Sequence, residues 1–208
     1  MIKLFLENFV LLFIAIDPVS LLPIFASFTQ GLNRKDLMTL CFRTGLTALM
    51  ILLIFWVFGS QILNLMGISI NSFKIAGGMF LLFIAYEMLF EKRQQRRKET
   101  AEKAMDDEAL TSLATFPLAI PLIAGPGAIT IAMLLSEKST QSISFQLIGF
   151  SPVFIIILLT VLSIWISGRI TEKLPSSVLG VLQRVFGLLL GALAIEFIIQ
   201  GLRQAFNI

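Results

Sequence analysis

Long apolar runs separated by short polar breaks dominate the chain. A helix needs about 20 apolar residues to cross the roughly 30 Å hydrocarbon core of a bilayer. Six stretches are long enough: residues 4–28, 37–62, 70–91, 113–136, 147–168 and 178–202. The breaks between them are short, except for a charged segment, 92–112, between the third and fourth stretches. The pattern therefore predicts an all-α membrane protein with six transmembrane helices.

The composition supports this interpretation and excludes several kinds of chemistry. Of the 208 residues, 57% are hydrophobic and 14% are charged, whereas a soluble domain averages about 25% charged residues. The chain has no histidine and one cysteine, Cys41. Histidine-ligated metal sites, serine–histidine–aspartate catalysis and an internal disulfide are therefore excluded. We expect no cofactor, no metal and no nucleic-acid partner.

The distribution of Lys and Arg predicts the orientation, because cytoplasmic loops are enriched in both. Of the 16 such residues, 12 lie on the side of segment 92–112 and 4 on the side of the two termini. This predicts a cytoplasmic connector at 92–112 and extracytoplasmic termini. We interpret the connector as a solvated loop. The alternative is that its basic start, 92–98, binds anionic lipid.

The chain also repeats itself at a separation of 109 residues. The aligned pairs are Trp56–Trp165, Gly78–Gly187, Ala85–Ala194 and Glu87–Glu196. Each copy, 1–91 and 113–208, holds three spans, and because three is odd the second copy enters the membrane from the opposite side. This predicts a 3+3 inverted repeat, a recurrent transporter architecture with its substrate site near the midplane. The alternative is chance similarity among apolar helices.

Spans one and four each carry a signal for a broken helix. In span one, Asp17 can cap free amides, while Pro18 suits a first helical turn and disfavours helix in the residue before it. The helix should therefore stop near Ile16 and restart at Pro18. In span four, Gly125 takes the cap position, Pro126 the first helical position, and Gly127 leaves the backbone open to a ligand. Non-helical backbone at this depth must be buried in protein or line a cavity. The alternative is a pair of proline kinks with Asp17 acting only as a cap.

These two helix starts predict a binding pocket at the midplane. Both would direct the positive end of a helix dipole toward one centre. A zwitterion fits this arrangement, with its ammonium toward the Asp17 carboxylate and its carboxylate toward bare amides such as that of Gly127. The predicted substrate-binding residues are Asp17, Pro18, Ser20, Pro23, Gly125, Pro126, Gly127, Ala128 and Thr130.

Two other acidic residues lie near opposite ends of their spans, Glu87 in span three and Glu196 in span six. An ionisable group at the bilayer centre costs roughly 2.5–3.5 kcal/mol, so each needs a reason. Without histidine, proton coupling or gating would fall to Asp17, Glu87 or Glu196. Snorkelling to the interface is the alternative for both glutamates. We interpret the glycines of spans three and six as packing positions, within one chain or between copies in a homo-oligomer.

Two segments together resemble a known family. They are residues 17–25, DPVSLLPIF, and 117–127, PLAIPLIAGPG. In combination they resemble the MarC family of bacterial and archaeal inner-membrane proteins, and the likeness extends over nearly the whole chain. The resemblance implies a six-span protein of the bacterial inner membrane that transports glycine, alanine or similar small neutral amino acids. The family pattern has glycine where this chain has Ser20.

Two other functions remain open at this point. The same architecture could export a lipid intermediate or a drug, or the chain could be a membrane enzyme or a structural partner in a complex. An enzyme would need a nucleophile–base pair or facing metal ligands, which the spacing of Asp17, Glu87 and Glu196 does not provide. The sequence also lacks a phosphate-binding Gly-Lys-Ser/Thr loop, so transport would use an ion or substrate gradient. We therefore predict a transporter rather than an enzyme.

Overall fold

The structure, a computed structural model, describes residues 2–105, 110–138, 143–170 and 176–207. All regular structure in these ranges is helical. The helices are α1 (Ile2–Ile16), α2 (Leu22–Thr29), α3 (Arg34–Leu65), α4 (Ile70–Leu89), α5 (Lys92–Met105), α6 (Leu110–Leu113), α7 (Pro126–Lys138), α8 (Ile143–Ile170) and α9 (Ser176–Phe206). Between α6 and α7, Ala114–Ile123 winds in wider turns, and we call it the wide-turn segment.

Four helices in the described ranges are long and apolar enough to cross a membrane: α3, α4, α8 and α9. The wide-turn segment and α7 meet at an angle of 61° and together qualify as a fifth span. The region predicted as span one consists of two short helices, α1 with 15 residues and α2 with 8. The prediction of an all-α membrane protein is therefore confirmed for four spans, or five with the bent pair.

Side-chain caps explain where two of the long helices begin. The Asn33 side chain accepts hydrogen bonds from the amides of Lys35 and Asp36, both at 3.0 Å, at the start of α3. Ser69 accepts one from the amide of Ser72 at 3.0 Å at the start of α4. Short polar side chains satisfy the free amides of a first helical turn in this way. The polar breaks in the sequence therefore set the ends of these spans.

Helices α4 and α9 form the largest helix–helix interface in the described part of the chain and run antiparallel. A Cβ added to Gly78 would lie 2.8 Å from the Ala194 carbonyl oxygen, and one added to Gly187 would lie 3.1 Å from that of Ala85. Glycine at both positions allows the two backbones to approach closely. The two contacts are reciprocal, because a shift of 109 residues converts Gly78 into Gly187 and Ala85 into Ala194.

The two interrupted regions lie inside the molecule. α1 packs against α7, α8 and α9, and the wide-turn segment packs against α3 and α5. Large apolar side chains are instead exposed on the long outer helices, as Phe58, Leu158 and Leu188 illustrate. An apolar outer surface is typical of helices that face lipid, and broken backbone at membrane depth requires enclosure of this kind.

The charged connector is a helix, and the interpretation as a solvated loop is wrong. α5 packs against α2, α4 and the wide-turn segment. Arg93 and Arg97 are only 4% and 7% exposed, and their spacing of four residues places both on one helix face. Because this buried face carries arginines rather than apolar residues, a hydrophobic pattern could not indicate it. The acidic end of the connector, 106–108, lies outside the described residues.

Candidate functional site

The first break follows the end of α1 at Ile16, where the sequence predicts it. Asp17 adopts the left-handed conformation with φ +55°, which Asp tolerates better than most residues. Residues 18–21 then form turns, and α2 begins at Leu22. The predicted helix restart at Pro18 is therefore wrong by four residues, because the left-handed Asp17 redirects the chain first. Asp17 Oδ1 accepts a hydrogen bond from the amide of Ser20 at 3.3 Å.

Two arginines of α5 cap the broken end of α1. The last carbonyl groups of a helix have no intrahelical donors. Arg93 donates to the carbonyl of Ala15, and Arg97 Nη2 donates to that of Ile16 at 3.0 Å. Positive side chains are also favoured at the negative end of the helix dipole. These bonds fix α5 against the break.

Arg97 also faces the Asp17 carboxylate. Asp17 is fully buried, and its Oδ2 lies 3.9 Å from Arg97 Nη1. This distance gives an ion pair without a hydrogen bond, and neither atom has a hydrogen-bond partner among the described residues. Burial lowers the pKa of Arg97 well below its ordinary value, and Arg93 lowers it further, while Asp17 acts in the opposite direction. The carboxylate predicted to meet a substrate ammonium is thus already paired.

The second break is built differently. Phe116 and Ile120 have extended backbone, with ψ of 126° and 125°, because each precedes a proline. The peptide bonds to Pro117 and Pro121 are both cis. Two extended residues therefore interrupt the wide-turn segment before the Gly125 turn.

Helix α7 begins at Pro126, as the sequence predicts. Its first intrahelical bond runs from the Ile129 amide to the Gly125 carbonyl at 3.0 Å. Pro126 has no N–H. The amides of Gly127 and Ala128 lie in the first turn, where a helix offers them no acceptor. A Cβ at Gly125 would collide with the carbonyl oxygen of Pro121, so the glycine is required for this turn. The positive end of the α7 dipole is left with free donors.

A cavity of about 260 Å³ separates these free amides from α5. This is many times the space that one water molecule needs, and it is enough for a small organic solute. Its polar lining comes from the arginine face of α5 and from the start of α7. The lining residues are Ala15, Phe80, Ile84, Arg93, Arg96, Arg97, Thr100, Pro121, Leu122, Ile123, Gly125, Pro126, Gly127 and Ala128.

The predicted site residues thus do not form a single site. Gly125, Pro126, Gly127 and Ala128 line the cavity, whereas Asp17 lies behind Arg97. The lining does not include the other predicted residues. Pro18 and Ser20 are buried in the first turn, Pro23 starts α2, and Thr130 points its methyl group toward Gly77 of α4.

The two repeat-related glutamates have different environments. Glu87 is buried, and its Oε2 lies 2.9 Å from Arg96 Nη2, so the snorkelling interpretation is wrong for this residue. Glu196 is exposed and accepts a hydrogen bond from Gln200 at 2.8 Å. With Glu7 it lines a separate crevice between α1 and α9. The two glutamates therefore do not share a partner or a cavity.

Sequence reasoning missed a buried cation near the start of α4, Lys74. It is 3% exposed, and its Nζ lies 3.1 Å from Glu137 Oε2 and donates to Gln204 Oε1 at 3.0 Å. Sequence reasoning also missed Arg93 and Arg97, for which the available signal was the spacing of four residues. In the described ranges, no group of three or more Cys, Asp or Glu residues is arranged to hold a metal ion.

Comparison with known proteins identifies the family. A family model described as MarC family integral membrane protein matches residues 2–206. The chain belongs to the MarC family. A MarC relative from Escherichia coli, the UPF0056 membrane protein YhcE, is 36% identical over 212 residues, covering 97% of this chain and 93% of its own. The UPF0056 membrane protein YvbG of Bacillus subtilis is 30% identical over 210 residues, covering 100% and 98%.

An archaeal MarC relative is equally similar. A UPF0056 membrane protein of Methanocaldococcus jannaschii is 32% identical over 206 residues, covering 99% of this chain and 90% of its own. No solved structure matches the chain. Membership in the MarC family makes this an integral, multi-pass membrane protein. The names of these relatives specify no substrate.

Proposed function

We propose that this MarC protein is a secondary transporter of small neutral amino acids. The observation that carries the proposal is the cavity between α5 and the start of α7. Gly127 and Ala128, whose amides have no acceptor within α7, line this space together with the buried Arg93 and Arg97. Amides at a helix start and guanidinium groups are the donors that carboxylates prefer. An amino-acid carboxylate therefore binds here, and the predicted site residues of the first break, Pro18, Ser20 and Pro23, lie outside this lining.

We further propose the 3+3 inverted repeat with six spans. The reciprocal contacts of Gly78 with Ala194 and of Gly187 with Ala85 support it, because antiparallel packing of equivalent helices is what an inverted repeat requires. α1 with α2 forms the broken first span, and the wide-turn segment with α7 forms the broken fourth. The repeats are 1–91 and 113–208, joined by the connector.

The orientation follows from the basic residues. With α5 in the cytoplasm, both termini are extracytoplasmic, and bacterial relatives support a location in the inner membrane. The cavity is lined by α5, so it opens on the cytoplasmic side. Proton coupling or gating by Asp17, Glu87 or Glu196 belongs to the same proposal, as does assembly with further copies of the chain.

Radiolabelled alanine flux in proteoliposomes tests the proposal. We expect the wild-type protein to carry alanine faster than protein-free vesicles, with a change in rate under a pH gradient if protons are coupled. Flux no faster than in protein-free vesicles would contradict transport of this substrate.

A matched pair of glycine variants ties the flux to the cavity. A Cβ at Gly127 would lie 2.6 Å from Ile84 Cδ1, so Gly127→Ala displaces the Ile84 side chain and narrows the cavity. Gly191→Ala is the control, because its methyl group would lie at an ordinary contact distance of 3.5 Å from Ala85 in α4. One methyl group in a binding pocket changes specificity by about 10-fold or more. We expect Gly127→Ala to lower alanine flux by about that factor and Gly191→Ala to leave it unchanged. Equal alanine flux in both variants would show that transport does not depend on this cavity.

A further inference from the structure

We propose that the cavity between α5 and α7 recognises a carboxylate alone, so that short monocarboxylates without an amino group bind as well as amino acids do. This inference rests on the proposed function and defines the substrate class of the same site. The carboxylate is bound by the Arg97 guanidinium and by the amides of Gly127 and Ala128 at the start of α7.

The charges around the cavity leave room for one anion. Three guanidinium groups line it, those of Arg93, Arg96 and Arg97. Two carboxylates pair with them among the described side chains, since Asp17 faces Arg97 and Glu87 faces Arg96. One positive charge is left over, and the positive end of the α7 dipole adds to it. A ligand with one negative charge neutralises this excess.

Arg97 is the side chain with unused hydrogen-bonding capacity. It is more than nine-tenths buried, and its Nη2 is occupied by the Ile16 carbonyl. Its Nη1 has no hydrogen-bond partner in the described ranges, because Asp17 Oδ2 is too far away at 3.9 Å. A buried donor without an acceptor destabilises the protein, and a hydrogen bond to an ionised acceptor offsets this loss best. Arg97 lines the cavity, so a carboxylate bound there offers its guanidinium an ionised acceptor.

The same geometry makes a substrate ammonium unnecessary. Asp17 is the acidic group that would attract it, but Asp17 is fully buried, already faces Arg97, and lies outside the cavity lining. Glu87 is likewise paired with Arg96 at 2.9 Å. An ammonium group inside the cavity would meet three arginines and no free carboxylate of the described residues. Recognition therefore depends on the anionic end of the ligand.

Four small probes separate the two ends of an amino acid. We would measure the dissociation constants of L-alanine, propionate, L-alaninamide and inorganic phosphate for the purified protein in nanodiscs by isothermal titration calorimetry. Propionate lacks the ammonium, and alaninamide lacks the carboxylate. We expect alanine and propionate to bind within about 3-fold of each other and alaninamide to bind about 10-fold or more weakly. Alaninamide binding as tight as alanine, or phosphate binding tighter than propionate, would overturn the inference.

Variants of α5 test which group binds the carboxylate. Arg97→Gln removes the positive charge and the planar set of guanidinium N–H donors. Arg97→Lys removes the guanidinium but keeps a positive charge beside the end of α1. We expect Arg97→Gln to weaken propionate binding about 10-fold or more and Arg97→Lys to weaken it less. Lys98→Gln is the matched control, because Lys98 is an exposed neighbour on α5 that pairs with Glu102 and loses the same charge. If Lys98→Gln weakens binding as much as Arg97→Gln, the effect is general electrostatics and the inference fails.

The outcomes distinguish this inference from the proposed function. If propionate binds but alanine is not transported, the anion site stands and amino-acid transport fails. If alanine is transported and propionate does not bind, transport stands and the inference fails. Arg97→Lys also covers the risk that Arg97→Gln does not fold, since its folding can be checked by thermal unfolding before titration.

Discussion

The two breaks occupy corresponding positions in the two halves of the sequence, yet they have opposite surroundings. At the first break, the end of α1 is closed by Arg93 and Arg97, and Asp17 is fully buried against Arg97. At the second break, Gly125 and Gly127 line a cavity, and the amides of the first turn of α7 have no acceptor within the helix. One break is occupied by protein groups, and the other is open to a ligand.

The difference arises from which end of a helix each break presents. The first break presents the C-terminal end of α1, whose free carbonyls attract the guanidinium groups of α5. The second presents the N-terminal end of α7, whose free amides attract anions. α5 contributes arginines to both breaks, since Arg93 and Arg97 bind the end of α1 and also line the cavity at the start of α7. The division of roles is therefore a consequence of helix polarity rather than of side-chain chemistry alone.

Removing the Asp17 carboxylate gives the largest expected effect. Asp17→Ala leaves the buried Arg97 guanidinium without a compensating charge, and breaking a buried pair in this way costs about 3–5 kcal/mol. Asp17→Asn retains an acceptor for the Ser20 amide and tolerates the left-handed backbone. It should therefore lower the stability less than Asp17→Ala does, while it still lowers transport. Thermal and denaturant unfolding in detergent measures both variants.

The double variant Asp17→Ala, Arg97→Met is the control for this pair. Replacing both partners of a buried ion pair with apolar groups is often neutral, whereas breaking it from one side is not. We expect the double variant to be more stable than Asp17→Ala alone. An Asp17→Ala protein within about 0.5 kcal/mol of the wild type would show that Arg97 does not depend on this carboxylate.

At the second break, the two glycines should separate stability from ligand binding. Gly125→Ala places its Cβ against the backbone carbonyl of Pro121, which cannot move without disturbing the turn, whereas Gly127→Ala meets only the flexible end of Ile84. Overpacking of this kind costs about 1–3 kcal/mol. We expect Gly125→Ala to lose about that much stability and Gly127→Ala to lose less, although both lower flux. If Gly127→Ala were the less stable variant, the assignment of strain to the Gly125 turn would be wrong.

Local signals in the sequence predicted both breaks, because proline and glycine act on the backbone of their immediate neighbours. The end of α1 at Ile16 and the start of α7 at Pro126 are confirmed. The partners of Asp17 could not be predicted in this way. Arg93 and Arg97 lie 78 and 81 positions along the chain from the carbonyls they bind, and only tertiary packing brings them there. A basic run in a connector is ordinarily solvated, so its burial has no compositional signal.

The packing of α4 on α9 gives a graded comparison of the two halves. A methyl at Gly78 would lie 2.8 Å from the backbone oxygen of Ala194, one at Gly187 would lie 3.1 Å from that of Ala85, and one at Gly191 would lie 3.5 Å from a side-chain atom. Alanine favours helix over glycine by about 1 kcal/mol, which offsets part of any clash. We therefore expect Gly78→Ala to lower the melting temperature most, Gly187→Ala less, and Gly191→Ala not at all.

The order of these three variants is the informative result. If Gly78→Ala and Gly187→Ala were both as stable as Gly191→Ala, close backbone approach would not determine this interface. The reciprocal contact would then have no energetic consequence. The repeat itself was visible in the sequence because these glycines and alanines align at a fixed offset, but the interatomic distances that rank them were not.

The smallest expected effect concerns Ser20, where this chain departs from the glycine of the family pattern. Ser20 is buried, its amide donates to Asp17 Oδ1, and its hydroxyl has no hydrogen-bond partner among the described residues. Ser20→Ala keeps the hydrogen bond from the backbone amide and removes only the unsatisfied hydroxyl. The free energy of unfolding should therefore change by less than about 0.5 kcal/mol. Ser20→Pro is the contrasting variant, because it deletes the amide donor and should destabilise the protein. A Ser20→Ala variant that folds normally but loses transport would instead assign the hydroxyl to the substrate, and would make the first break a second contributor to the site.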